Sequence, residues 1–237
     1  MHTKMQYKNY IFDVDGTLTP SRSVIDSEFE DWFAKFCDMH DVYLITGSDR
    51  PKTLEQVGER VYNKCKRVYQ NCGNDIWERN INVRTTNITW DPHIVGFCSN
   101  ELAQSDYPIR TGIHCEYRIG LLNFSIVGRK ANKEQRADYV KHDKQTNERK
   151  LIAKRFNEQF PLYEASLGGE TGIDIAPKGK DKSQILQELD GHSFFFGDAI
   201  FEGGNDYSLA LAVLRASGEV AKVEGWEETW RILKQLA

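Results

Sequence analysis

Cysteine is scarce in this chain of 237 residues and poorly placed for cross-linking. Cys37, Cys65, Cys72, Cys98 and Cys115 are odd in number, fall in the first half and form no C-x-x-C. No disulfide framework or usual zinc spacing is apparent, and the pattern reads as free thiols in a reducing compartment. No apolar run approaches the roughly 20 residues that a membrane-spanning helix needs. Met1 to Asn9 is polar and runs straight into a strand, so no secretory leader is expected and the cytoplasm is the expected location. Positive charge is not in excess either: 31 Lys and Arg stand against 35 Asp and Glu, a formal net charge of -4. A general nucleic-acid or membrane-surface binder needs a basic face, which this balance argues against. Any anionic ligand would have to be held by a local basic cluster.

What is present is an ordinary globular balance, 40% hydrophobic and 28% charged, in a chain long enough for one core domain with an insertion. Tyr10-Ile11-Phe12 is an apolar run ending in Asp13-Val14-Asp15-Gly16, as a buried parallel strand ends at the C-terminal edge of a sheet. Phe29, Trp32, Phe33 and Phe36 follow at helical spacing. Val42 to Ile45 is a second strand, Pro51 opens a helix through Val57 and Val61, and Lys66 to Gly73 is a third strand. This βαβαβ order implies a parallel sheet wrapped by helices.

The pattern changes near residues 85–90. A helix (Pro92 to Leu102), two strands (Ile113 to Ile119, Leu121 to Val127), a charged helical stretch (Asn132 to Phe160) and two strands (Leu162 to Leu167, Gly172 to Ala176) are expected. Strands joined by short turns, with helices between, read as an α+β unit with an antiparallel sheet. Alternating order returns with a helix at Lys182 to Leu189, a strand at Ser193 to Phe196, an element at Leu211 to Arg215 and a closing helix from Trp226. The expected fold class is α/β: a doubly wound, Rossmann-like parallel-sheet core (1–85 and 179–237) with an inserted α+β cap (86–178).

Asp13 and Asp15 sit two apart at a strand end, followed by Gly16 and Thr17. Two such carboxylates can share a cation, one attacking phosphorus while the other handles the proton. Mg2+ suits them because it takes few protein carboxylates and keeps the rest of its shell for water and phosphate. Thr46, before Gly47 and Ser48, offers a hydroxyl for a phosphate oxygen, or a turn. Lys182 offers a compact positive charge, or a solvated surface residue. Asp198 ends another apolar strand, and Asp206 follows as a further oxygen ligand or a helix cap.

In this order these residues resemble the haloacid dehalogenase superfamily. The resemblance implies Asp13 as nucleophile, Asp15 as general acid/base, Thr46 and Lys182 as phosphate holders, and Mg2+ on Asp13, the Asp15 carbonyl and Asp198, with Asp206 nearby. The stretch Phe12 to Pro20 with Arg22, and Arg118 to Arg129 with Arg136, is further similar to eukaryotic-type phosphomannomutases, as are Gly168-Gly169 and Asp174. That narrower resemblance implies arginines at 118, 129 and 136 gripping the far phosphate, Arg22 binding substrate, Asp174 holding sugar hydroxyls, and a homodimer through the cap. It implies interconversion of hexose 6-phosphate and hexose 1-phosphate, mannose favoured, primed by a hexose 1,6-bisphosphate. If water takes the phosphate instead, the same residues make a sugar-phosphate phosphatase. The chain departs from the family at Gly172, where a serine hydroxyl is usual, and at Thr46, which is more like the wider superfamily's phosphatases.

Overall fold

The computed structural model describes residues 7–236; the expectation for the polar N-terminus falls largely outside them. The first elements follow the expected alternation: β1 (Asn9–Phe12), α1 (Ser27–Met39), β2 (Val42–Ile45), α2 (Arg50–Lys64) and β3 (Arg67–Gln70). β1 and β2 are buried along their whole length, which is why they read as unbroken apolar runs. Helix α1 starts at Asp26, whose carboxylate accepts from the Glu28 and Phe29 amides, and it buries Phe29, Phe33 and Phe36. Asp49 caps α2 in the same way, and Gly58, at φ 74°, kinks that helix.

A hairpin that the sequence does not announce follows: β4 (Asp75–Glu78) and β5 (Ile81–Thr85). Every residue of β5 is exposed, and its turn uses Arg79 in the left-handed region (φ 56°) with no glycine to mark it. The chain then forms α3 (His93–Gln104), β6 (Cys115–Arg118), β7 (Leu121–Phe124), α4 (Lys133–Thr146), α5 (Glu148–Gln159), β8 (Tyr163–Gly168) and β9 (Gly172–Pro177). The charged helical stretch consists of two helices, broken at Asn147, which adopts φ 55°. After a 3-10 turn at Lys182–Glu188, where an α-helix was expected, come β10 (Ser193–Gly197), α6 (Tyr207–Arg215), the unforeseen edge strand β11 (Glu219–Lys222) and α7 (Trp226–Leu236).

Two sheets result. The larger has the order β11-β10-β1-β2-β3-β4-β5, parallel through β3, with the hairpin added antiparallel at one edge. The smaller is an antiparallel sheet of order β6-β7-β9-β8. Leu122, Phe124, Ile173 and Ile175 pack with Phe97, Tyr139 and Phe156 of the cap helices. The alternate residues point the other way: Asn123 pairs in register with Asp174, and Glu116 with Asn123. That polar face closes over the C-terminal ends of β1, β2 and β10. Arg118 Nη1 donates to Gly47 O (2.7 Å), and Asn74 Nδ2 bridges Gly120 O (3.3 Å) and Lys180 O (3.0 Å). Among the described residues no helix is long and apolar enough to cross a membrane.

Candidate active site

Parallel pairing of Phe12 with Phe196 brings the two acidic strand ends side by side, and the two rings stack at 4.8 Å beneath them. Asp13 is buried, its amide held by Phe196 O at 2.9 Å. Gly16 must be glycine: it sits at φ +81°, and a Cβ there would meet Asp198 Oδ2 at 2.4 Å. Lys182, 1% exposed, donates to Asp13 Oδ1 (2.6 Å) and to Asp206 Oδ1 (2.8 Å). The surface reading of that lysine is therefore excluded. Asp206 occupies the cap position of α6 without capping it; its second oxygen accepts from the Ala199 amide at 3.1 Å.

Oxygens of Asp13, Asp198 and Asp206 all lie within 4.8 Å of one another. Three carboxylates against one ammonium leave a formal charge of -2, which a divalent cation balances. The donors are all oxygen, with no sulfur or imidazole, which fits a hard cation such as Mg2+. Burial pushes the Asp13 carboxyl well above the usual range despite Lys182, with Asp206 and Asp198 adding to the rise. Burial and then Asp206 push Asp198 up to about 7. Burial opposes the Lys182 ammonium, but Asp13 and Asp206 more than offset it and hold the group protonated. The Asp15 carboxylate is kept apart from this cluster. Its Oδ1 accepts from the Arg22 amide (2.8 Å) and Gln56 Nε2 (2.9 Å), and Ser48 Oγ reaches its Oδ2 at 3.4 Å.

Asp13, Asp15, Thr46 and Asp198 line a cavity of about 460 Å³ between the two sheets. Arg22, Arg118, Arg129, Arg136 and Asp174 line the same cavity. Thr46 is buried and its hydroxyl accepts the Ser48 amide at 3.0 Å, so the turn that the sequence allowed is formed by a residue of the cavity wall. The four guanidiniums are close enough to act on one another: burial first, then Arg129 and Arg136, bring Arg22 down to about 10. Burial and Arg118 likewise lower Arg129. Arg118 goes the other way, since Asp174 and Glu116 overcome its burial. Asp174 accepts from Asn123 Nδ2 at 2.6 Å. At Gly172 a Cβ would meet that same Asn123 nitrogen at 2.5 Å, so Asn123 fills the space that a serine side chain would need.

Sequence reasoning brings all its cavity residues together, with Lys182 and Asp206 directly behind Asp13. It missed Gln56, Glu116, Arg149, Glu170 and Thr171. Their roles rest on contacts between distant positions, such as Gln56 with Asp15 and Arg136 with Thr171. Only Glu116, two residues before Arg118, offered a local cue.

The family model described as eukaryotic phosphomannomutase matches residues 29–237. The phosphomannomutase of Saccharomyces cerevisiae is 31% identical, over 95% of this chain and 92% of its own. That of Arabidopsis thaliana is 32% identical, over 84% of this chain and 85% of its own. Among solved structures, Plasmodium falciparum IMP-nucleotidase with bound IMP superposes with a TM-score of 0.64 at 15% identity, covering 97% of this chain and 68% of that one. The C-terminal domain of Candida albicans trehalose-6-phosphate phosphatase gives 0.61 at 16% identity, covering 89% of this chain and 74% of that one. These two show the shared fold. Matched over most of its length by the family model and by relatives above 30% identity, the chain belongs to the eukaryotic phosphomannomutase family.

Proposed function

We propose that the protein interconverts hexose 6-phosphate and hexose 1-phosphate, mannose first, through an aspartyl-phosphate on Asp13 and a hexose bisphosphate. The observation that carries this reading is a single cavity lined both by Asp13 and Asp198 and by four arginines, which we read as two phosphate stations. A phosphatase needs the first station alone, whereas a mutase must hold a second phosphate while the first reacts.

In this reading Lys182 fixes the nucleophile through Asp13 Oδ1, and Oδ2 attacks phosphorus. As the phosphorus–oxygen bond to the sugar breaks, Asp15 gives its proton to the departing oxygen and takes one back from the sugar hydroxyl that attacks in the return step. Arg22, Gln56 and Ser48 orient Asp15 for both transfers. Thr46 and Lys182 hold the reacting phosphate, while Arg118, Arg129 and Arg136 hold the far one through charge-assisted forks. Asp174, fixed by Asn123, accepts from sugar hydroxyls. Asp13, Asp198, the Asp15 carbonyl and the nearby Asp206 would hold Mg2+, which when bound would supply positive charge against the phosphoryl oxygens. The domain limits belong to this proposal too: 1–85 with 179–237 as core, and 86–178 as cap. So do a hexose 1,6-bisphosphate activator, a homodimer through the cap and a cytoplasmic location.

Incubation with mannose 1-phosphate and Mg2+, with and without glucose 1,6-bisphosphate, tests the reading by phosphorus NMR. Mannose 6-phosphate should appear, faster when primed. Release of phosphate with no isomer under either condition would leave the phosphatase.

A further inference from the structure

The cap arginines are already engaged by groups of the chain itself. Glu116 Oε2 lies 2.9 Å from Arg118 Nε and 2.9 Å from Arg129 Nη2, on the strand that also carries Arg118. Glu170 is placed differently. It stands on the turn between β8 and β9, its side chain 50% exposed, with Oε2 at 3.3 Å from Arg136 Nη2. Arg136 Nη1 meanwhile donates to the buried Thr171 hydroxyl at 2.9 Å. The turn itself is anchored from behind. Arg149 Nη1 donates to Gly169 O (2.8 Å) and Gly172 O (3.1 Å), and Asp143 Oδ2 holds Arg149 Nε at 2.8 Å. The backbone under Glu170 is therefore fixed, and the side chain is the movable part.

We propose that Glu170 is a specificity-determining residue of the distal phosphate station: a tethered carboxylate that occupies Arg136 until a phosphate displaces it. The proposal rests on the mutase reading of the cavity. A hydroxyl-bearing, uncharged end of a ligand cannot compete with a carboxylate for a guanidinium, whereas a phosphate dianion can. The station thereby rejects ligands without a distal phosphate. A tethered competitor also acts at high local concentration. It recaptures Arg136 when the phosphate loosens, which hastens the release that a bisphosphate needs in order to turn round.

Glu170→Gln keeps the size and removes the charge. Calorimetric titration of mannose 1-phosphate into magnesium-free protein reads the arginine station without turnover, because the acid cluster repels phosphate from the other end. Affinity should tighten roughly three- to five-fold, the worth of a half-exposed ion pair. With Mg2+ and primer, KM and kcat for mannose 1-phosphate should fall together as release slows. Affinity equal to or weaker than the parent's overturns the proposal. Failure of the parent to form any isomer would sink the mutase reading, and the titration would still decide the role of Glu170.

Discussion

Replacing Lys182 with methionine removes the ammonium that bridges Asp13 Oδ1 at 2.6 Å and Asp206 Oδ1 at 2.8 Å, and leaves a side chain of similar length. All three groups are nearly inaccessible to water, so solvent cannot replace the lost partner. Breaking a buried ion pair from one side typically costs about 3–5 kcal/mol. For a domain of this size, each kcal/mol lowers the melting temperature by about 2–4 °C, so a fall of roughly 6–20 °C is expected. The loss must depend on pH. Burial already raises Asp13 and brings Asp198 to about 7, and losing the ammonium raises both further. A carboxyl whose folded pKa lies above its unfolded value stabilises the fold below the unfolded value and loses that as pH rises through the folded one. The Lys182→Met deficit should therefore be small near pH 5 and full near pH 8, and Mg2+ should restore much of it. Thermal melts at both pH values, in chelator and in Mg2+, check this. An equal deficit at pH 5 and pH 8, or one below ~1 kcal/mol as for a surface pair, would refute the argument.

Asp15→Asn should slow sugar phosphates by about 10²–10⁴ while an activated aryl phosphate, whose leaving group needs little protonation, loses far less. Equal losses on both would mean that Asp15 handles no proton. Arg136→Ala removes a charge-assisted contact worth about 1.5–3 kcal/mol, so kcat/KM on hexose phosphates should fall roughly 10- to 150-fold, and much less on an aryl phosphate. A uniform fall would place Arg136 outside substrate binding. Mg2+ needs ionised carboxylates, and Asp198 has its pKa pushed up to about 7. Binding at pH 6.5 should therefore release protons, read by calorimetry in buffers of different ionisation enthalpy, and the release should disappear at pH 9. No release at pH 6.5 would argue against Asp198 as a ligand.

The acidic end of the site was legible because each of Asp13, Asp15 and Asp198 closes an apolar run, and buried parallel strands advertise themselves in that way. Lys182 was ambiguous on its own, since burial beside two carboxylates is a property of the fold and not of Gly179-Lys180-Asp181-Lys182. The hairpin β4–β5 escaped because its outer strand is wholly exposed and its turn lacks glycine. The break at Asn147 escaped because asparagine can take the left-handed conformation in a segment that otherwise has helical composition. The cap arginines were readable only as a resemblance. Their geometry depends on partners such as Glu170 and Thr171, 34 and 35 positions from Arg136, and no local pattern encodes those. Gly172 read as a missing hydroxyl, yet the structure fills that space with Asn123.

The most direct test of the central claim follows one phosphoryl group. Protein labelled at Asp13 with radioactive phosphate, freed of primer, is mixed with excess mannose 1-phosphate and quenched within a single turnover. Most of the label should leave Asp13 as hexose bisphosphate and then as mannose 6-phosphate, with Asp13→Asn protein taking up none. Label that passes instead to inorganic phosphate, at a rate that mannose 1-phosphate does not alter, would contradict the claim.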